Sequence, residues 1–201
     1  MNVRKTLDLR FLKKILTSAE IAVVRSAKNP AAALWSLWAC KETAYKIMKK
    51  SSAETAFLPR QWKVKISKTG ESYEQGEVII PGNILKGTRA GIFTRLFISE
   101  KYVHCIGADD SRILDEIVWD VDIIPPPEAR ENVDPSVFVR DCLVRRVAGY
   151  FHLNYQHLEI RRVKKDGESQ PPYLYLNNNK YPVDVSLSHD SNFVAYSFIS
   201  I

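Results

Sequence analysis

Trp38-Ala39-Cys40-Lys41-Glu42-Thr43-Ala44-Tyr45-Lys46 is the stretch on which the reading of this chain turns. It lies inside a run of helix formers from about Ala31 to Lys50 and follows Asn29-Pro30, a break that ends one helix and starts the next. At 3.6 residues per turn, Trp38, Lys41, Glu42 and Tyr45 fall along one side, and Glu42 and Lys46 stand four residues apart. A carboxylate beside two ammonium groups holds a hard cation while the lysines neutralise phosphate oxygens. The ordinary alternative is a solvated Glu-to-Lys pair, worth about 0.3–0.5 kcal/mol.

Outward from this helix, Phe11, Leu12, Ile15 and Leu16 recur at helical spacing, and Thr17-Ser18-Ala19-Glu20 has the form of a capping box opening a second helix. Beyond Gln61 the period changes to two. Trp62, Val64 and Ile66 alternate with Lys63, Lys65 and Ser67, and short strands are expected at Val78-Ile79-Ile80, Thr94 to Ser99 and Tyr102 to Ile106. Residues 108–134, with Asp109-Asp110, a strand near Val118 to Ile124 and Pro125-Pro126-Pro127, are the best linker candidate. A helix from Pro135 to Tyr150 follows, then strands at Leu158 to Val163, Tyr173 to Leu176, Val183 to Ser188 and Phe193 to Ile199. Each half runs from helix to small antiparallel sheet, so the class is α+β, with lobes at 1–107 and 135–201. Ser99-Glu100-Lys101-Tyr102-Val103-His104 faintly echoes Ser188-His189-Asp190-Ser191-Asn192-Phe193-Val194, the mark of an internal duplication.

The chain has 201 residues and a net charge of +6, unevenly placed: residues 1–107 carry +11, residues 108–134 carry −7 and residues 135–201 carry +2. The basic half would attract a phosphate-bearing ligand, an acidic protein or nucleic acid. A nucleic-acid module predicts aromatics interleaved with cations on one strand face. Trp62-Lys63-Val64-Lys65 is the sole run of that kind, so no nucleic-acid partner is expected. Cys40, Cys105 and Cys142 are too few and too scattered for a disulfide framework or a zinc site, and no apolar run reaches membrane-spanning length. The charged helix after the basic N-terminus does not read as a signal peptide, so a cytoplasmic protein without membrane attachment is expected.

A second motif stands near the C-terminus. In Val183-Asp184-Val185-Ser186-Leu187-Ser188-His189-Asp190 apolar and polar residues alternate up to Ser188-His189 at a strand edge, where a hydroxyl and an imidazole can bond a phosphate or merely cap a turn. Ser188-His189-Asp190 is not a hydrolase triad, because adjacent strand residues point to opposite faces.

Together the two motifs resemble the phosphopantetheinyl transferase superfamily, whose members carry a W-x-x-K-E-x-x-x-K helix and a strand ending in S-x-S-H or I-S-H-S. Phe11 to Glu20 is similar to the family segment upstream of that helix, and Val139 to Asp190, with its Gly167 to Pro172 turn, is similar to the first half of the two-lobed, Sfp-like members. The resemblance implies an α+β fold of two similar lobes in pseudo-twofold relation, working as a monomer, with coenzyme A between them. It implies transfer of 4'-phosphopantetheine from coenzyme A to a serine of an acyl or peptidyl carrier protein, with magnesium. By the same resemblance Glu42 would ligate Mg2+ and help deprotonate the serine. Lys41 and Lys46 would sit near the phosphates. His189 and Ser188, with Arg140 and Lys165, would contact coenzyme A from the other lobe. One family element is missing. Nothing before Phe11 matches the acidic G-x-D-x-[VE] strand, Asp8 lies too close to the helix, and Asp120 and Asp122 alternate correctly but in another place. Either an N-terminal strand is absent from this chain or the metal site is degenerate; because Phe11 onward matches well, the expectation is the absent strand, and a non-catalytic relative binding coenzyme A or a carrier protein is the rival.

Overall fold

The computed structural model describes residues 1–52, 54–68, 73–80, 91–126, 133–165 and 168–201. It divides into two compact units, Met1–Asp115 and Glu116–Ile201.

The first unit opens with three helices: α1 (Leu9–Ile15), α2 (Ser18–Ser26) and α3 (Pro30–Ser51). Each start is written in the sequence. Asp8 caps α1 by accepting from the Phe11 amide. Thr17 and Glu20 form the expected capping box: the Thr17 hydroxyl accepts from the Glu20 amide, and the Glu20 carboxylate accepts from the Thr17 amide. Asn29 caps α3 and Pro30 takes its first position, where a missing amide hydrogen costs nothing.

Four antiparallel strands follow, β1 (Lys63–Lys68), β2 (Glu74–Ile79), β3 (Gly91–Ile98) and β4 (Val103–Ala108), in the order β1-β2-β3-β4. One face of this sheet meets α3. Cys40, Ala44 and Met48 of the helix pack against Trp62, Val78, Ile92 and Leu96. β2 begins four residues before the apolar run Val78-Ile79-Ile80. Its polar start hides a strand because position 76 has no room for a side chain: a Cβ on Gly76 would lie 2.6 Å from the Thr94 hydroxyl and 3.5 Å from the Cys40 sulfur. Trp62, expected at the head of a basic, aromatic strand face, is fully buried, so no exposed ring accompanies Lys63 and Lys65.

The second unit begins inside the acidic segment. β5 (Val118–Ile123) pairs with β12 (Phe193–Ser200), which pairs with β11 (Val183–Asp190). Residues 108–134 therefore carry a sheet strand as well as the connection; the part at 127–132 lies outside the described residues. α4 (Pro135–Phe151) is capped by Asp134 and ends at His152 in the left-handed conformation. Its face Val139, Leu143, Val147 is buried against both this sheet and a second one, β6 (Leu158–Arg161), β9 (Tyr173–Leu176) and β10 (Asn179–Lys180), in the order β10-β9-β6. Two short strands, β7 (Lys164–Lys165) and β8 (Glu168–Ser169), pair with each other. Asn177 and Asn178, both at positive φ, turn the β9–β10 hairpin, as two central residues of a type I' turn do.

Candidate functional site

Lys41 is fully buried, and this corrects its expected role beside a phosphate. Its ammonium donates to three oxygens: the Glu20 carboxylate at 2.7 Å, the Pro59 carbonyl at 2.7 Å and the Ile15 carbonyl at 3.0 Å. An ammonium has three hydrogens, so none is left for a ligand. Burial pulls the Lys41 pKa down while Glu20 holds it up. Glu20 is itself buried, and its second oxygen accepts from the Val64 amide at 3.1 Å. One ion pair thus ties the end of α1, the start of α2, the middle of α3, the loop before β1 and β1 itself. Trp38 and Tyr45 lie on this buried side and meet Phe57, with ring centroids 5.5 and 4.9 Å away.

Glu42, next in sequence, is exposed, and Lys46, one turn on, is half-buried. The helix is close to the sheet here: a Cβ on Gly107 of β4 would meet Thr43 Cγ2 at 2.8 Å and Ile47 Cδ1 at 3.2 Å. The Thr43 hydroxyl donates to the Cys105 carbonyl at 3.2 Å. His104, on β4, stacks against Phe97 at 6.3 Å, and its pKa is lowered to about 4 by burial first and then by the Lys46 ammonium. His104 is therefore neutral at physiological pH, and the cationic charge beside Glu42 on this helix is that of Lys46. His104 was not chosen as a site residue from sequence; its only signal there was the faint echo of Ser188-His189.

On the Lys41 side of α3 a groove of about 680 Å³ runs along the surface. Lys14 and Arg60 supply its cations, Trp38, Phe57 and Leu58 its apolar wall, and Ile15 and Pro59, the residues tied to the Lys41 ammonium, lie between.

The remaining candidates belong to the second unit. Ser188 and His189 lie within the last three residues of β11, which continues to Asp190 beyond the strand end expected at Ser188; they stand opposite Ala195 and Val194, Ser188 half-buried and His189 exposed. Arg140 is half-buried on α4 beside the core residue Val139. The Lys165 backbone pairs with Glu168 in the β7–β8 hairpin; its side chain and residues 166–167 of the expected turn lie outside the described residues. Asp120 and Asp122 share one face of β5, with Asp120 opposite Tyr196. Burial, then Asp120 and Asp122, push the Tyr196 hydroxyl up to about 12, and burial followed by Asp122 pushes Cys142 to about 11. Both groups stay protonated at neutral pH.

Among the described residues no three His, Cys, Asp or Glu side chains gather as a metal set. Nor is any described helix long and apolar enough to cross a membrane. Magnesium does not require an all-protein cage; it takes one or two carboxylates together with water and substrate phosphate oxygens. An exposed Glu42 fits such a site as its single carboxylate.

The sequence profile of the 4'-phosphopantetheinyl transferase superfamily matches residues 2–104, just over half of the 201 residues. The chain belongs to that superfamily. The match spans all three first-unit helices, including the Trp38 to Lys46 motif, and reaches into β4. No curated protein and no solved structure matches the chain.

Proposed function

We propose that the chain transfers 4'-phosphopantetheine from coenzyme A to a serine of an acyl or peptidyl carrier protein. The observation that carries this reading is the exposed Glu42 with Lys46 one turn away, on a helix that lies within the superfamily match. The serine hydroxyl attacks the β-phosphorus in line, and the bridging oxygen leaves with the adenosine bisphosphate. Glu42 accepts the hydroxyl proton, and Lys46 neutralises charge on the phosphoryl oxygens. Glu42 would also hold magnesium, which when bound supplies charge neutralisation of the diphosphate. Ser188, His189, Arg140 and Lys165 are proposed to contact the phosphates of coenzyme A from the second unit, with the two units acting as similar lobes of one monomeric, cytoplasmic enzyme. The acidic carrier protein is proposed to dock on the first unit, where the groove between Lys14 and Arg60 offers cations beside an apolar wall.

The test is incubation with coenzyme A, magnesium and an apo carrier protein, read by mass spectrometry. A phosphopantetheine adduct on the carrier is the expected result. A second reading, a relative that binds coenzyme A or a carrier protein without transfer, is favoured by the lack of a sequence match to the family's acidic G-x-D-x-[VE] strand ahead of the Trp38 to Lys46 helix. Bound coenzyme A with no adduct selects it; binding of neither partner overturns both readings.

A further inference from the structure

The outer face of the β10-β9-β6 sheet carries side chains that the transfer reaction does not use. Register places Arg161 opposite Tyr173, and Tyr175 between Glu159 and Lys180. Residues directly opposite in a sheet share a face. Leu158, Ile160 and Leu174 point into the second-unit core, so Glu159, Arg161, Tyr173, Tyr175 and Lys180 project the other way. The Arg161 guanidinium lies over the Tyr175 ring, 4.7 Å from its centroid, and the Lys180 ammonium lies 3.7 Å from the Tyr173 centroid. Arg161 is held by its edges: Nε donates to Glu159 Oε2 at 2.8 Å, and a terminal nitrogen donates to Asn178 Oδ1. Its side chain is still 37% exposed. Arg162 and Lys164, both exposed, follow at the end of β6.

The result is a preformed platform: flat groups fixed in place, cations beside them, and on the described part of this face one carboxylate, Glu159, already paired with Arg161. Single-stranded nucleic acid has the complementary form, with unpaired base faces to stack and one phosphate per nucleotide. A duplex hides its base faces, and an acidic protein would meet the cations without using the flat groups. We infer that this face binds single-stranded nucleic acid, bases stacking on Tyr173, Tyr175 and the Arg161 plane, and Lys180, Arg162 and Lys164 neutralising phosphates. The inference runs against the sequence expectation of no nucleic-acid partner. That expectation looked for the alternation within one run of residues, whereas here it is assembled from three strands.

The full chain is titrated with fluorescein-labelled single-stranded DNA and RNA of about twelve nucleotides, within the usual site sizes, and with a duplex of equal length. The single strands should bind more tightly than the duplex. With about three phosphates neutralised, single-strand affinity should fall roughly eighteenfold between about 50 and about 200 mM salt. Tyr173→Ala/Tyr175→Ala should weaken binding about tenfold or more, while Tyr173→Phe/Tyr175→Phe keeps it. Lys180→Glu, an exposed change that leaves both rings in place, should also weaken it. Excess coenzyme A should leave the oligonucleotide bound. Four results each overturn the inference: no single-strand binding at the lower salt, equal binding of the duplex, displacement by coenzyme A, or unchanged affinity in a folded alanine or Lys180→Glu variant.

Discussion

The two sides of α3 treat neighbouring charges in opposite ways. Lys41 has its ammonium inside the protein, with three oxygen acceptors within 3.0 Å, while Glu42 stands in solvent. Consecutive helical residues are about 100° apart, which is enough to cross from core to surface. A charged pair in a motif is therefore not one functional unit. One member builds the unit that the other works from, and each should fail differently when changed.

The largest effect should come from Lys41→Ala. It leaves the Glu20 carboxylate buried without its cation, at about 3–5 kcal/mol of stability, measured by denaturant unfolding. Replacing both partners, as Lys41→Met/Glu20→Leu, should recover most of that loss; a double variant no more stable than the single one would break the view of the pair as a self-contained staple. Glu42→Gln should do the reverse, costing roughly 10²–10³ in transfer rate with the melting temperature nearly unchanged. Unchanged turnover would refute the role proposed for Glu42.

Next comes pH. His104 has a folded pKa of about 4 against an ordinary 6.5, so the unfolded chain binds the extra proton between those values. Its contribution is whole above pH 6.5 and is lost as pH falls towards 4, on the order of 3 kcal/mol over the window. His104→Gln should flatten that part of the stability profile. The smallest effect should be Thr17→Ala, which removes the hydroxyl of the capping box while the Glu20–Lys41 pair stays, for about 1 kcal/mol by the same unfolding measurement.

Much of the fold could be read from the sequence because its signals are local. Thr17 with Glu20, Asn29 with Pro30, and the alternation in Val183 to Ser188 each declare an element within a few residues. The strand around Gly76 could not, since its reason is a hydroxyl on the next strand. The burial of Lys41 escaped for the same cause. Its partner is 21 residues away, and two of its acceptors are main-chain carbonyls that no pattern of side chains announces. Periodicity set Glu42 along one side with Trp38, Lys41 and Tyr45, but the helix turns that side into the protein and leaves Glu42 exposed, and the platform of Arg161, Tyr173, Tyr175 and Lys180 forms only when strands pair.

Glu20 accepts from the Thr17 amide through one oxygen and from the Val64 amide through the other. Two amide protons 47 residues apart in sequence are thus guarded by one carboxylate. In deuterated buffer they should exchange together, released by a single opening that undoes a helix cap and a strand start at once. The first turn of α2 and the first residues of β1 would then share one protection factor, although no backbone hydrogen bond joins them.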